Sequence, residues 1–502
     1  MTITPSRADF ASLAKSANVI PIFADLVADA ETPTSAFQKL DDGGYSFLFE
    51  SAEQSEQSGR FSFLGFNPRV TIQCGAGKVT IVDDAGTESR ALNGDPLHEL
   101  ERVMSRFRFA AREDLPRFAG GAVGFIGYDV VRCFEPTVPT PERDDLRLPE
   151  MIFSIMQTLV IFDHRFRRVK IVANAFLDAQ PDLDAPYDEA ERSIQTALQK
   201  LAGPTRLSPI DAQRQTTPPI TRSDTTREVF EQNVVKAQNY IRAGDIFQVV
   251  LSQRFEAEFA GDPLSLYRAL RLVNPSPYLF CLRFGDDFSL IGSSPEMHVR
   301  VGDGMVEVRP IAGTRRRGRT PSEDEANAAE LLADEKERAE HVMLIDLARN
   351  DVGRVAETGS VRVTEQMSVE RYSHVMHLVS HVVARLREDR TAFDALRATF
   401  PAGTVSGAPK IRAMQIITEL EKIKRGCYAG AVGYFGFDGA LDCCIALRSI
   451  VLKDGHAYVQ AGAGIVADST PTAEYRETVS KAAAMIEAIG RAREISHDPD
   501  HR

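Results

Sequence analysis

The run QTLVIFDHRFRRVKIVANAF, residues 157–176, sets the fold class. It is dense in β-branched and aromatic residues around a charged centre, which suits a pleated, largely buried surface. Outward from it, GYSFLFES (44–51), RFSFLGF (60–66), KVTIVDD (78–84) and GGAVGFIGYD (120–129) are further apolar strands between Gly-rich turns, predicting the sheet of an α+β domain. A helix with a Gly stop, PYDEAERSIQTALQKLAG (186–203), closes this part. Residues 203–222 are rich in Pro and Thr and predict a linker between an N-terminal domain, 1–202, and a second domain, 223–490.

The second domain opens with a capped helix, TREVFEQNVVKAQNYIRAG, and a strand, DIFQVVLSQRFEAEF. Strands are expected at PYLFCLRF, FSLIGSSPEMHVRV and MVEVRPIAG, then a long helical stretch over about 321–350 and another helix from ERYSHVMHLVSHVVARLR (370–387). Strands AGAVGYFGF, LDCCIALRSIVL and HAYVQAGAGIV precede a final helix at TPTAEYRETVSKAAAMIEAIGRARE, with Thr470 as cap and Pro471 in its first turn.

The 502 residues allow a large core. With 59 basic against 71 acidic side chains, the net charge of −12 argues against nucleic acid as a main partner. RPIAGTRRRGR (309–319) holds five arginines, but it lacks interleaved aromatics and an acidic segment follows. Its arginines are expected to pair with that segment. Six scattered cysteines without metal-ligand spacing fit a reduced, cytoplasmic setting, and no signal-like or membrane-spanning run is found.

Two Glu-x-x-Glu pairs, Glu337/Glu340 and Glu474/Glu477, each place two carboxylates on one helical face. If the pairs converge, they supply hard oxygen ligands suited to Mg²⁺; if not, they are solvated acidic faces. FPAGTVSGAPKIRAM (400–414) and QAGAGIVADSTP (460–471) are Gly-rich turns able to approach a ligand closely. Arg448 ends an apolar run, either as a carboxylate-binding guanidinium or as a strand-end arginine reaching solvent. His374, His377 and His381 lack the intervening glutamate of a zinc protease, so one working histidine is expected rather than a metal site.

These stretches, with GDIFQVVLS, GSSPE, KERAEHVMLIDLARND, YAGAVGY, CIALR and EYRETVSKA, resemble the chorismate-utilising enzymes over roughly 226–482. Among these enzymes the resemblance is to the large, synthase components of anthranilate synthases; the first domain matches more loosely, through LFES (48–51) and GGAVGFIGYD. The resemblance implies a fold of two subdomains with packed, mainly antiparallel sheets surrounded by helices. It implies conversion of chorismate and ammonia to anthranilate and pyruvate through 2-amino-2-deoxyisochorismate, a lyase reaction and the first committed step toward tryptophan.

By the same resemblance, Glu296 is the general acid for the C4 hydroxyl, His377 the active-site histidine, and Thr404 and Thr314 line the ring. Gly313 allows close approach; Tyr428, Arg448, Gly462, Ala463, Gly464 and Lys481 surround the enolpyruvyl carboxylate; Glu340 and Glu477 hold Mg²⁺ most directly, aided by Glu337 and Glu474. Relatives that add water to chorismate carry a lysine base where this chain has Gln248, and aminodeoxychorismate synthases typically carry a nucleophilic lysine where it has Ala312. The sequence has no Gly-x-Cys-x-Gly elbow for glutamine hydrolysis, so a separate glutamine amidotransferase subunit is expected, in a heterotetramer. Feedback inhibition by tryptophan is implied at Glu50, Ser51, Asn274, Pro277 and Tyr278, with Arg60 assisting. The alternatives are an aminodeoxychorismate synthase and a non-catalytic sensor of aromatic ligands.

Overall fold

A computed structural model describes residues 2–27, 29–52, 59–177, 182–213, 216–372 and 375–496. The opening stretch forms the end of the Met151–Asp163 strand and all of the Arg168–Phe176 strand, paired antiparallel with Asp163 opposite Arg168. Met151–Asp163 is buried along all but its last residue. Its first half pairs with Gly121–Ile126, its second with Arg168–Phe176, and its other edge with the long strand Phe61–Gly75. A strand covered on both faces needs the near-continuous apolar sequence found here.

From this strand the sheet extends two ways. One path runs through Phe61–Gly75, Tyr45–Glu50, Tyr278–Phe284, Phe288–Ser294, Ser449–Lys453 and His456–Ile465 to Gln248–Glu258. The other runs through Gly121–Ile126, Ala431–Gly436, Leu441–Ile445, Met297–Gly302 and Met305–Val308 to Val375–Arg385. These ladders are antiparallel, as expected for an α+β chain. Strands from before and after 203–222 therefore pair directly: Tyr45–Glu50 with Tyr278–Phe284, and Gly121–Ile126 with Ala431–Gly436.

Helices cover the sheets through apolar stripes. Ala482, Met485, Ala488 and Ile489 of the Pro471–Ser496 helix share a core with Leu266 and Leu270 of the Pro263–Val273 helix. Ala413, Met414, Ile417 and Leu420 of the Lys410–Glu421 helix pack with Val249, Leu251 and Ile465. Each such Leu, Ile or Met contributes on the order of 1.5–3 kcal/mol by leaving water. Among the described residues, no helix is long and apolar enough to cross a membrane.

The stretches FSLIGSSPEMHVRV, MVEVRPIAG and LDCCIALRSIVL each give two strands rather than one, and two expectations of helices require correction. The helix expected from residue 370 is the strand Val375–Arg385, which pairs with Met305–Val308, Ile311–Arg316 and Arg362–Arg371. Its β-branched residues Val375, Val379, Val382 and Val383 suit that position, and partners on both edges override the helix-like histidine spacing. His374 lies outside the described residues. The long helix over 321–350 is two helices, Pro321–Ala333 and Glu335–Gly353, divided at Asp334. The Asp334 carboxylate accepts the N–H groups of Lys336 and Glu337, starting a second helix where the first ends.

Candidate active site

Glu296 sits between the Phe288–Ser294 and Met297–Gly302 strands and is 4% exposed. The Thr404 hydroxyl donates to its Oε1 at 2.7 Å, from the short helical turn Gly403–Val405. Burial pushes its carboxyl up to about 8, although the hydrogen bonds from Thr404 and the Ile311 backbone act the other way. Glu296 is thus mainly a neutral acid near pH 7, able to give a proton to a leaving oxygen. Its burial is not that of a solvated strand-end carboxylate.

The His377 ring lies opposite Glu370 in the ladder, at 6% exposure. Its Nδ1–H donates to the Gly313 carbonyl at 2.8 Å, and the Thr314 hydroxyl is 3.1 Å from the same nitrogen. Burial lowers its proton affinity; the Gly313 bond opposes this, and the charge of Arg448 lowers it further. The result is a neutral imidazole whose Nε2 is the acceptor. Gly313 makes the geometry possible: its φ of 62° is left-handed, and a Cβ there would come within 2.9 Å of Leu331 Cδ1 and 3.1 Å of Glu337 Oε2. The bulge between Ala312 and Arg315 sets Gly313 and Thr314 out of the ladder, while Ala312 stays paired with Leu378.

The arginines of 309–319 hold this loop to its surroundings. Arg315 reaches Glu330 at 3.1 Å, Asp334 at 2.8 Å and Glu337 at 3.2 Å, whereas Arg317 and the Gly318 N–H hold Asp324. Arg309 pairs with Glu370. The expected pairing with the acidic segment is present.

Across the pocket, Gly462, Ala463 and Gly464 lie on the buried strand His456–Ile465, opposite Ser252, Leu251 and Val250. A Cβ on Gly462 would meet the Tyr428 hydroxyl at 2.7 Å, and one on Gly464 would meet Gln248 Nε2 at 2.7 Å. Lys481 Nζ donates to the Gly462 carbonyl at 3.1 Å and pairs with Glu477 at 2.7 Å. Gln248 donates its amide to Glu340 at 3.1 Å. Arg448 stands at φ 46°, sparsely populated for a residue with a Cβ, and its guanidinium touches the Asn274 side-chain oxygen at 3.3 Å.

The two expected carboxylate pairs lie near enough to act on one another. Burial raises Glu340, and the charges of Glu337 and Glu477 push it further; burial likewise raises Glu474, with Glu477 adding to it. Among the described residues, no three acidic or imidazole groups close into a ready-made metal cage. Even so, mutually repelling carboxylates are hard oxygen donors whose chemistry fits a divalent cation that keeps waters or shares a substrate carboxylate.

A second cavity, of about 500 Å³, is lined by Glu50, Ser51, Arg60, Pro277 and Tyr278 together with Phe49, Phe118 and Tyr434. The Glu50 carboxylate accepts the Tyr267 hydroxyl at 2.6 Å, with Arg271 at 3.5 Å. The structure thus brings four of the five expected feedback residues to one aromatic pocket. The fifth, Asn274, turns instead to Ser293 and Arg448. The sequence pattern marks neither this Asn274–Arg448 contact nor His298, although His298 is only two residues from Glu296.

A sheet of this topology, carrying a buried acid and a neutral histidine over a Gly-rich floor, defines a chorismate-binding enzyme, and the chain belongs to that family: the family model for chorismate binding enzymes matches residues 44–487. The chain is 47% identical to anthranilate synthase component 1 of Acetivibrio thermocellus, over 98% of this chain and 99% of that one. It is also 47% identical to anthranilate synthase component 1 of Aquifex aeolicus, over 99% and 100% of the respective chains. The crystal structure of anthranilate synthase component I from Streptococcus pneumoniae superposes with a TM-score of 0.76 at 41% identity, covering 92% of this chain and 98% of that one. The menaquinone-specific isochorismate synthase of Escherichia coli shares the fold at a TM-score of 0.72 and 17% identity, over 96% and 100% of the chains.

Proposed function

We propose that this enzyme is the synthase component of an anthranilate synthase, forming anthranilate and pyruvate from chorismate and ammonia. The observation that carries the reading is Glu296, a buried carboxyl held neutral to about pH 8 beside Thr404, in a pocket where Gln248 and Ala312 stand at the positions of the lysines of other subfamilies. Glu296 protonates the C4 hydroxyl, which leaves as water, while the lone pair of ammonia bonds to C2. Ammonia needs no base to become a nucleophile, so a neutral Gln248 suffices, its amide orienting Glu340. The aminodeoxychorismate alternative requires an attacking amine, and the Ala312 methyl has none.

Pyruvate elimination then removes the C2 proton and breaks the C3–O bond, leaving an aromatic ring. His377, with Nδ1–H fixed on the Gly313 carbonyl, presents Nε2 as an acceptor for proton transfer or polarisation in this step. Arg448 and Lys481 bind the enolpyruvyl carboxylate, with Tyr428 and Gly462 closing over it. Glu340 and Glu477, with Glu337 and Glu474, would hold Mg²⁺, which neutralises the ring carboxylate when bound. We assign the ammonia supply to a glutamine amidotransferase partner in a heterotetramer, and the aromatic cavity to tryptophan as a feedback inhibitor. In support of the latter, the cavity offers the Glu50 carboxylate and several aromatic walls.

The test is to incubate the protein with chorismate, Mg²⁺ and ammonium at mildly alkaline pH, with and without tryptophan. Anthranilate fluorescence with stoichiometric pyruvate, suppressed by tryptophan, is expected. An unaromatised amino product, a para-aminobenzoate precursor or no turnover refutes the reading.

A further inference from the structure

Beside Glu296 lies a small cavity of about 20 Å³, lined also by His298, Asp351, Thr399 and Thr404. That is room for one water. His298 is 2% exposed, and its Nε2 lies 3.2 Å from the Thr399 carbonyl. A carbonyl oxygen only accepts, so Nε2 carries the hydrogen. Burial, opposed by that bond and aided by the charge of Lys410, pushes the imidazole down to about 4. The ring is therefore neutral, and Nδ1 is a bare acceptor, buried without a partner among the described residues. Asp351 is held at 2.6 Å by Lys410, whose Nζ also donates to the carbonyls of Thr399 and Pro401. Burial raises Asp351, opposed by Lys410 and by the charge of Arg354; Cys443 and Cys444 lie on the adjoining strand, and Val308, Leu344, Leu347, Ala348 and Gly403 line the cavity without charge.

We propose that His298 is a positioning residue for Glu296, acting through one water held among His298 Nδ1, the Asp351 carboxylate and the Glu296 carboxyl. The hydrogen-bond count closes. Protonated Glu296 gives its O–H to the water, and the water gives its two hydrogens to Nδ1 and to Asp351. With both hydrogens taken, the water has none to offer a Glu296 carboxylate, so the arrangement keeps the proton on Glu296, and rotation about the Cγ–Cδ bond turns that O–H from the water to the leaving oxygen. The inference rests on Glu296 being the general acid of the proposed reaction.

The experiment compares the pH dependence of kcat in the wild-type enzyme and in His298→Leu, His298→Asn and His298→Gln. Wild type is expected to lose activity above about pH 8. His298→Leu frees the water to donate to Glu296, moving that limb down by about one pH unit, so kcat falls roughly tenfold at pH 9. KM for chorismate stays within about twofold, because His298 acts through Glu296 rather than on substrate. Asparagine places an acceptor where Nδ1 was and is expected to retain the wild-type limb, whereas glutamine reaches the Nε2 position and shifts as leucine does. The contrast between His298→Asn and His298→Gln stands even where His298→Leu does not fold. A second measurement needs no turnover: the break near pH 8 in the pH dependence of urea unfolding moves down by the same amount in His298→Gln. An inactive wild type refutes the assigned reaction; an unmoved break in His298→Gln, or equal shifts in the asparagine and glutamine variants, overturns the role of His298 alone.

Discussion

Replacing Glu296 by glutamine should move activity and stability in opposite directions. Glutamine keeps the volume and can still accept from Thr404, but it cannot release a proton. Loss of a general acid costs about 10²–10⁴ in kcat. The effect on stability follows from the rise of the Glu296 carboxyl from 4.5 to about 8. Below pH 4.5, both folded and unfolded wild-type chains hold the proton, and the two proteins differ little on this account. As pH rises from 4.5 to 8, the unfolded chain releases the proton while the folded chain keeps it, and the stability present at low pH is progressively lost. At about 1.4 kcal/mol per pH unit, the interval corresponds to roughly 5 kcal/mol, an upper bound on what relaxation of the pocket leaves. The amide does not titrate, so Glu296→Gln should grow more stable relative to wild type as pH rises, levelling off above about 8. Urea denaturation of both proteins from about pH 5 to 9, alongside anthranilate fluorescence, measures both effects. Parallel stability curves, or a Glu296→Gln protein with near wild-type kcat, would refute the argument that this carboxyl is a buried, proton-holding acid.

Ala312→Lys, at a buried ladder position, should reduce anthranilate formation at least tenfold, whereas Arg316→Ala, at an exposed position, should leave most of it; product analysis of both variants is the check. Glu340→Gln should raise the Mg²⁺ concentration for half-maximal activity by an order of magnitude or more, read from a metal titration at saturating chorismate, and an unchanged requirement would remove Glu340 from the metal site. Arg425→Met leaves Glu421 buried without its cation, and Ser252 and the Val250 carbonyl lose the network that orders them. About 3–5 kcal/mol of stability should disappear, measurable by denaturant unfolding.

Much of the sheet was legible because its strands carry their apolar residues in short runs bounded by turns, although Val19–Leu26, Arg362–Arg371 and the first half of Met151–Asp163 were not read from the sequence. Val375–Arg385 was hidden as well. With ladders on both edges and most of both faces buried, its alternation is blurred, and His374, His377 and His381 lent it a helical spacing. The break at Asp334 was missed for a different reason: its flanks, Ala333 and Glu335, are good helix formers, and only the cap distinguishes two helices from one. Within the site, residues close to glycines and turns were recognisable from short motifs. Contacts joining distant segments were not, such as Thr404 on Glu296 across 108 positions or Asn274 on Arg448 across 174. Nothing local in either partner encodes the other.

The strand pairing also bears on how this protein could be divided. The proline-rich stretch 203–222 invites a cut, yet Tyr45–Glu50 depends on Tyr278–Phe284 for an edge, and Gly121–Ile126 on Ala431–Gly436. Separating the chain there leaves two raw, apolar sheet margins on each fragment, open to self-association. The halves must therefore mature together. An insertion in 203–222 that lengthens the tether is tolerable, whereas gene fission at the same point would yield two aggregation-prone pieces that regain solubility only by finding each other.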